Sequence, residues 1–343
     1  MRVSIVIPIY NAESHILRGL SSVATQSFQD IECILVDDKS KDKSIQICHS
    51  FAQVYQGGIK FIVHSHAINR GVAAARNTGT ELATGDFVFY MDSDDELPTD
   101  AIRTLVAEAE NHPQADIIYG SIIIDNGKER KTTHYEKTQL NSNSLIRQDF
   151  FSKKRKTYGV VWNKLIKREF IDRNRLSFRE GIIHEDELWM YHAISVAKSF
   201  CFSNETTYIQ HVIPTSIMST LSQEWNSNCW LIVLKEILPL FSDPCYDKQV
   251  YKYLDILFSQ CIIGSKEFFE VIGLFAQHSK KCHLYKLFFA LKYYKWSVKN
   301  NKGEGVKNWI FHYALNQSNY GESLAKAIYY DFRAVLSSNL KRQ

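Results

Sequence analysis

Asp92, Asp94 and Asp95 place three carboxylates within four positions, with Ser93 between the first two. They directly follow an apolar run, Phe87 to Tyr90, that reads as a buried strand ending where the acidic group begins. Carboxylates this close repel one another, and holding them together is costly unless water or a cation compensates. Hard divalent ions such as Mg2+ and Mn2+ take oxygen ligands and share them with substrate phosphates. The carboxyl end of a strand is also where open α/β sheets bind ligands. Taken alone, this D-x-D equally suits a solvated acidic turn capping a helix near Pro98, so its surroundings must decide. Tyr10 and Asn11 leave an earlier apolar run, and an aromatic with an amide suits stacking on a single base and reading its edge. A second acidic group, Glu185-Asp186-Glu187, opens a later helix, where carboxylates complement the helix dipole.

The elements that carry these residues alternate. Val3 to Pro8 reads as a strand, and Glu13 to Thr25 as a helix with Ile16, Leu20, Val23 and Ala24 on one face. Ile31 to Val36 is a strand ending in Asp37-Asp38, and Asp42 to Tyr55 is helical. Lys60 to Val63, Phe87 to Met91 and Asp116 to Ile124 are further strands, separated by helices over Val72 to Ala83 and Thr99 to Asn111. This alternation predicts an α/β fold with a doubly wound, mostly parallel sheet. A dinucleotide site is unlike this chain, because the turn after the first strand, Ile9 to Glu13, has no glycine. Residues 125–160 are polar and basic and read as a mobile connection, with Lys153-Lys154-Arg155-Lys156 suited to closing over anions. A short helix follows Val161 to Leu165, another runs from the acidic group to about Lys198, and Cys201 to Ile209 is a strand. From Gln223 onward the pattern is helical.

Composition sets outer bounds. The 343 residues are 45% hydrophobic and 23% charged, an ordinary globular balance. No stretch approaches the roughly 18 apolar residues of a transmembrane helix. The first residues enter a strand with no signal-peptide pattern, and seven scattered cysteines show no metal spacing. Both favour a cytoplasmic protein with reduced thiols. The net charge of +4 is uneven: residues 1–100 carry 8 Lys+Arg against 13 Asp+Glu, and residues 280–343 carry 12 against 3. An acidic head suits cation chemistry. In the basic tail, Leu284 to Lys299 mixes Leu, Phe, Tyr and Trp with four lysines. That suits peripheral contact with the inner face of a membrane, or else a packed helical subdomain or homodimer face.

Four stretches in order resemble glycosyltransferase family 2. They are Val3 to Asn11, Val36 to Ser40, Asn69-Arg70-Gly71 with Ala75 to Gly79, and Asp92 to Asp95. Trp162-Asn163-Lys164 and Glu185-Asp186 resemble that family's acceptor-side motifs. The resemblance implies a GT-A domain over 1–220, with nucleotide-sugar binding in 1–125 and the acceptor side in 126–220. Residues 221–343 would be a helical extension. It implies an inverting transfer from a UDP-sugar to a hydroxyl of a glycan or lipid-linked glycan, in capsule, O-antigen or exopolysaccharide synthesis. No nucleic-acid partner is expected. By resemblance Tyr10 stacks on uracil in a pocket shaped by Pro8 and Asn11, and Asp38 accepts the uracil N–H. Asp37 supports the fold or the ribose, Asn69 belongs to the donor loop, and Arg76 faces base or diphosphate. Asp92 and Ser93 hold the donor, and Asp94 binds Mn2+ or Mg2+. Asp186 is the implied base, with Glu185 as the alternative, since adjacent carboxylates cannot be ranked from sequence. A nucleotidyltransferase and a non-catalytic sugar-nucleotide-binding module are the competing readings. The former would need a glycine-rich phosphate loop after the first strand.

Overall fold

The computed structural model describes residues 1–151, 159–213 and 222–237. The basic run Lys153 to Lys156 and the amphipathic stretch Leu284 to Lys299 lie outside these residues, as does nearly all of the predicted helical extension.

The first half alternates as the sequence predicts. The elements are β1 (Val3–Ile9), α1 (Ile16–Ala24), β2 (Ile31–Asp37), α2 (Ser44–Val54), β3 (Lys60–Ser65), α3 (Val72–Leu82), β4 (Phe87–Tyr90) and α4 (Ala101–Asn111). Every residue of β1 and β2 is buried, because helices cover both faces of the sheet, as the unbroken apolar runs require. β1 pairs in parallel with β2 and β4, and β2 with β3. Pro8 lies past the last β1–β4 pair, Val6 with Tyr90, so its missing N–H breaks no bond to β4. Ile5, Ile7, Leu20, Leu35, Phe89, Ile102 and Leu105 belong to one buried core. Each such side chain contributes about 1.5–3 kcal/mol by leaving water. Helix α3 lies close against β1. A Cβ added at Gly79 would stand 2.3 Å from Val6 Cγ1, so only glycine fits there.

The second half departs from simple alternation. It comprises β5 (Ile117–Asp125), β6 (Arg130–Thr133), β7 (Thr138–Leu140), α5 (Asn143–Phe151), β8 (Lys164–Lys167), α6 (Arg168–Asn174), α7 (Glu185–Val196), β9 (Phe200–His211) and α8 (Gln223–Ile237). The strand order is β3-β2-β1-β4-β8-β5-β9-β7, with β6 paired to β5. Strand β8 inserts between β4 and β5 and runs antiparallel to both, so β5 does not adjoin β4. Strands β6 and β7 and helix α5 lie within the stretch 125–160 that the sequence suggested as a mobile connection. The chain Arg130-Lys131-Thr132-Thr133 has no apolar face to announce a strand. It is held by its ladder to β5, from Ile122–Thr133 to Asp125–Arg130.

Candidate active site

The parallel strands β1, β2 and β4 deliver Tyr10, Asp37-Asp38 and Asp92 to Asp95 to the same edge of the sheet. Asp38 is buried, and its carboxylate accepts the backbone N–H groups of Arg70 (2.8 Å) and Gly71 (2.7 Å). His66 Nδ1 lies 2.8 Å from the same carboxylate, and His66 Nε2 lies 2.9 Å from Thr78 Oγ1. Gly71 takes φ +89, a left-handed conformation that costs other residues strain, to aim its N–H there. Asp38 is therefore already engaged by the loop, and a ligand N–H would share its remaining lone pairs. Asp37 accepts from Ser40 N–H at 3.1 Å, a fold-supporting contact. Asn69 Nδ2 donates to Asp38 O at 3.0 Å, and Asn11 Oδ1 accepts from Lys41 N–H at 2.8 Å. Both amides brace the loops. Pro8 is buried, whereas Tyr10 is 40% exposed and presents its ring to solvent.

Past β4 the ligand oxygens of Asp92, Asp94 and Asp95 all lie within 4.8 Å of one another. The half-buried Ser93 sits between the first two, and Asp95 N–H closes the turn on Asp92 O at 3.3 Å. Asp95 accepts from Tyr208 Oη (2.7 Å) and from His211 N–H (2.8 Å). Tyr208 Oη in turn accepts from Asp92 N–H at 3.0 Å. Burial and the neighbouring Asp92 push Asp94 up to about 6, and burial with Asp92 and Asp94 pushes Asp95 up to about 8. The Asp94 carboxylate takes no hydrogen bond from another of the described residues. Three crowded oxygen donors, with Asp94 and Asp95 biased toward holding a proton, fit a hard divalent cation. Asp94 and Asp92 are placed to hold it, with Asp95 tied back to β9.

Arg76 links this cluster to the second acidic group. Its buried guanidinium contacts Asp92 Oδ1 through Nη2 at 2.9 Å and Glu185 Oε1 through Nη1 at 2.5 Å. The guanidinium expected to face the base or diphosphate is thus engaged by two carboxylates. The same contact separates Glu185 from Asp186. Glu185 is committed to Arg76, whereas Asp186 accepts from Glu187 N–H at 2.8 Å. Burial, then Glu185, raises Asp186 to about 7, against the opposing pull of Arg76.

Trp162, Asn163 and Lys164 are turned into the protein. Trp162 stacks on Tyr208 with centroids 4.8 Å apart and planes at 15°. Asn163, at φ 58, donates to Gly120 O at 2.7 Å and accepts from Thr207 Oγ1 at 2.5 Å, tying the start of β8 to the middles of β5 and β9. Lys164 Nζ donates to the Val160 and Trp162 carbonyls and lies 4.8 Å from the Tyr119 ring centroid. Burial pushes it down to about 7. Sequence reasoning passed over His66, Tyr208 and His211, whose roles come from strand pairing 28 to 116 residues away and leave no local pattern. A separate group, Glu108, His112 and Cys201, also gathers ligand atoms, but Glu108 is already paired with Lys137 at 2.7 Å.

The family model described as glycosyl transferase family 2 matches residues 4–175. The uncharacterized glycosyltransferase EpsJ of Bacillus subtilis is 32% identical over 222 residues, covering 63% of this chain and 62% of EpsJ. A poly(ribitol-phosphate) beta-glucosyltransferase of Bacillus spizizenii is 29% identical over 212 residues, covering 61% of this chain and 32% of that protein. The chain thus spans less than two thirds of the length of either relative. The crystal structure of S. aureus TarS 1-349 in complex with UDP-GlcNAc superposes with a TM-score of 0.68 at 18% identity, covering 91% of this chain and 90% of that one. That likeness shows the fold, which is GT-A. Among the described residues no helix is long and apolar enough to cross a membrane.

Proposed function

The chain belongs to glycosyltransferase family 2, and from that premise we propose that it moves a sugar from a UDP-sugar to a hydroxyl of a glycan or lipid-linked glycan, with inversion. One observation carries this reading: Arg76 touches both Asp92 of the acidic cluster and Glu185 beside Asp186. A cation site for a diphosphate and a carboxylate suited to proton removal therefore border the same guanidinium. The UDP-GlcNAc bound in the TarS crystal structure supports the donor class, and the poly(ribitol-phosphate) beta-glucosyltransferase of Bacillus spizizenii supports a polymer as acceptor.

Tyr10 stacks on the uracil, and Asp38 fixes the loop around it. Asp186 removes the acceptor hydroxyl proton, and the oxygen attacks the anomeric carbon from the face opposite the diphosphate. The C–O bond to the diphosphate breaks, its electron pair leaves with UDP, and the proton stays on Asp186. A carboxylate that titrates near neutrality is suited to this exchange. Asp94 and Asp92 would hold Mg2+ or Mn2+, which would supply charge neutralisation to the leaving diphosphate.

The test is UDP release and thermal shift across a panel of UDP-glucose, UDP-galactose and UDP-N-acetylglucosamine, each with and without Mn2+. A stabilised protein that releases UDP supports transfer. Stabilisation without any UDP release would favour a sugar-nucleotide-binding module instead. No stabilisation by any UDP-sugar would overturn the donor assignment.

A further inference from the structure

Helix α8 begins well past the residues that the family model matches, yet one of its faces closes on the segment just before Asp186. Asn226, Cys229 and Trp230 stand three and four residues apart, hence on one side of the helix. Asn226 Oδ1 accepts from His184 Nε2 at 2.7 Å. Cys229 forms a hydrogen bond with the Ile183 backbone. Trp230 stacks on the His184 ring, with centroids 3.9 Å apart and planes at 22°. Farther along, Glu236 pairs with Arg179 (3.4 Å) and with His192 (3.6 Å), which flank the same segment and α7.

His184 is the residue on which these contacts converge, and its backbone is unusual. It caps the N-terminus of α7 at φ 66 and ψ 24, in the left-handed region, with no side-chain capping bond. Caps ordinarily use extended backbone and a side-chain oxygen. A left-handed, non-glycine residue persists where its surroundings over-determine it, and such residues gather at functional sites. Here the surroundings are the Trp230 ring and the Asn226 amide. The His184 carbonyl also accepts the first helical bond, from Leu188 N–H at 3.1 Å. The direction of α7 and the placement of the Asp186 side chain both start from this residue.

We infer that α8 is a positioning element for the general base, with His184, Asn226 and Trp230 acting together to fix the first turn of α7 and so hold Asp186 in register. This rests on the reading of Asp186 as the base. None of the three residues touches substrate in this scheme. They act through the backbone of 184–186, so their loss lowers turnover and leaves donor binding alone. A displacement of about 1 Å at a reacting group can cost up to a hundredfold in rate.

The experiment uses the full chain and the UDP-sugar that the unmodified protein turns over fastest, with UDP calorimetry in Mn2+ as the donor-side control. Trp230→Leu removes the stack and keeps apolar volume. His184→Gly removes the ring and keeps the left-handed backbone, Asn226→Ala removes the acceptor, and Trp230→Phe restores an aromatic face. The expected result is roughly a tenfold to hundredfold fall in kcat for the first three variants. The donor KM and UDP affinity stay within about twofold, Trp230→Phe recovers most of the rate, and amide exchange over Glu185 to Leu188 accelerates. Should Trp230→Leu not fold, His184→Gly and Asn226→Ala decide the matter alone. Unmodified kcat and unmodified exchange in those variants, with Asp186→Asn inactive, would overturn the positioning role. Full activity in Asp186→Asn would instead remove the base assignment, and the inference with it.

Discussion

Replacing Arg76 with alanine tests the central contact of the site. The guanidinium side chain is 5% exposed, its Glu185 partner 7% and its Asp92 partner 32%. Removing one member of a buried pair leaves the other as an uncompensated charge, at about 3–5 kcal/mol. The Asp92 contact, open to water on one side, adds on the order of 0.2–1 kcal/mol. For a folded unit of this size each kcal/mol moves Tm by about 2–4 °C, so Arg76→Ala should melt roughly 6–24 °C below the unmodified protein. Most of that loss belongs to the stranded Glu185 carboxylate. The double variant Arg76→Ala with Glu185→Gln should therefore recover part of it, with a coupling of about 1–3 kcal/mol in a double-mutant cycle. Thermal unfolding followed by circular dichroism, at fixed pH and without metal or nucleotide, gives all four corners. If Arg76→Ala costs the same in the Glu185→Gln background as in the unmodified one, the ion pair is not what holds these segments together. The bridging role of Arg76 would then be wrong.

Other consequences are open to measurement. Asp94→Ala should abolish the Mn2+-dependent part of UDP stabilisation while leaving the metal-free Tm equal or slightly higher, because one of three repelling carboxylates is gone; Mn2+ dependence surviving in the variant would remove Asp94 from the cation site. Transfer should rise with pH through about 7 and level off above it, since Asp186 must be ionised to accept a proton. The same raised value means that the folded state holds this proton more tightly than the unfolded chain. Stability from this group is therefore fully present below about pH 4 and declines as pH rises to about 7, and urea midpoints in Asp186→Asn should lose that component. Gly79→Ala should destabilise by about 1–3 kcal/mol through the clash with Val6, and Val6→Ala in the same chain should relieve part of it; additive losses would contradict the packing described.

The fold of the first half was legible because its signals are local. Unbroken apolar runs marked β1, β2 and β4, alanines marked α3, and carboxylates at strand ends marked the site. What lay hidden depends on contacts far apart in sequence. Strand β8 is four residues, Lys164 to Lys167, whose only announcement was the motif resembling an acceptor-side signature. Its antiparallel insertion between β4 and β5 follows from pairing energies that no local window contains. Trp162, Asn163 and Lys164 carried chemistry-bearing side chains and were expected at the acceptor. Burial turns all three inward, Trp162 onto Tyr208, Asn163 to Gly120 and Thr207, and Lys164 to nearby carbonyls, since such side chains serve packing and bracing as readily as binding. Asp186 and Glu185 could not be ranked by type or position. A guanidinium 109 residues earlier in the chain pairs with Glu185, a contact no local pattern announces.

That reach has a consequence for chimeras. The family model ends at residue 175, ten positions before Glu185. The segments bearing Arg76 and Glu185 are tied together by one ion pair, of which each supplies one side. A variant that rebuilds residues 176–237 keeps this contact only if its replacement segment again offers a carboxylate to Arg76. Chimeras assembled across that seam should lose the stability of this ion pair wherever the carboxylate is missing.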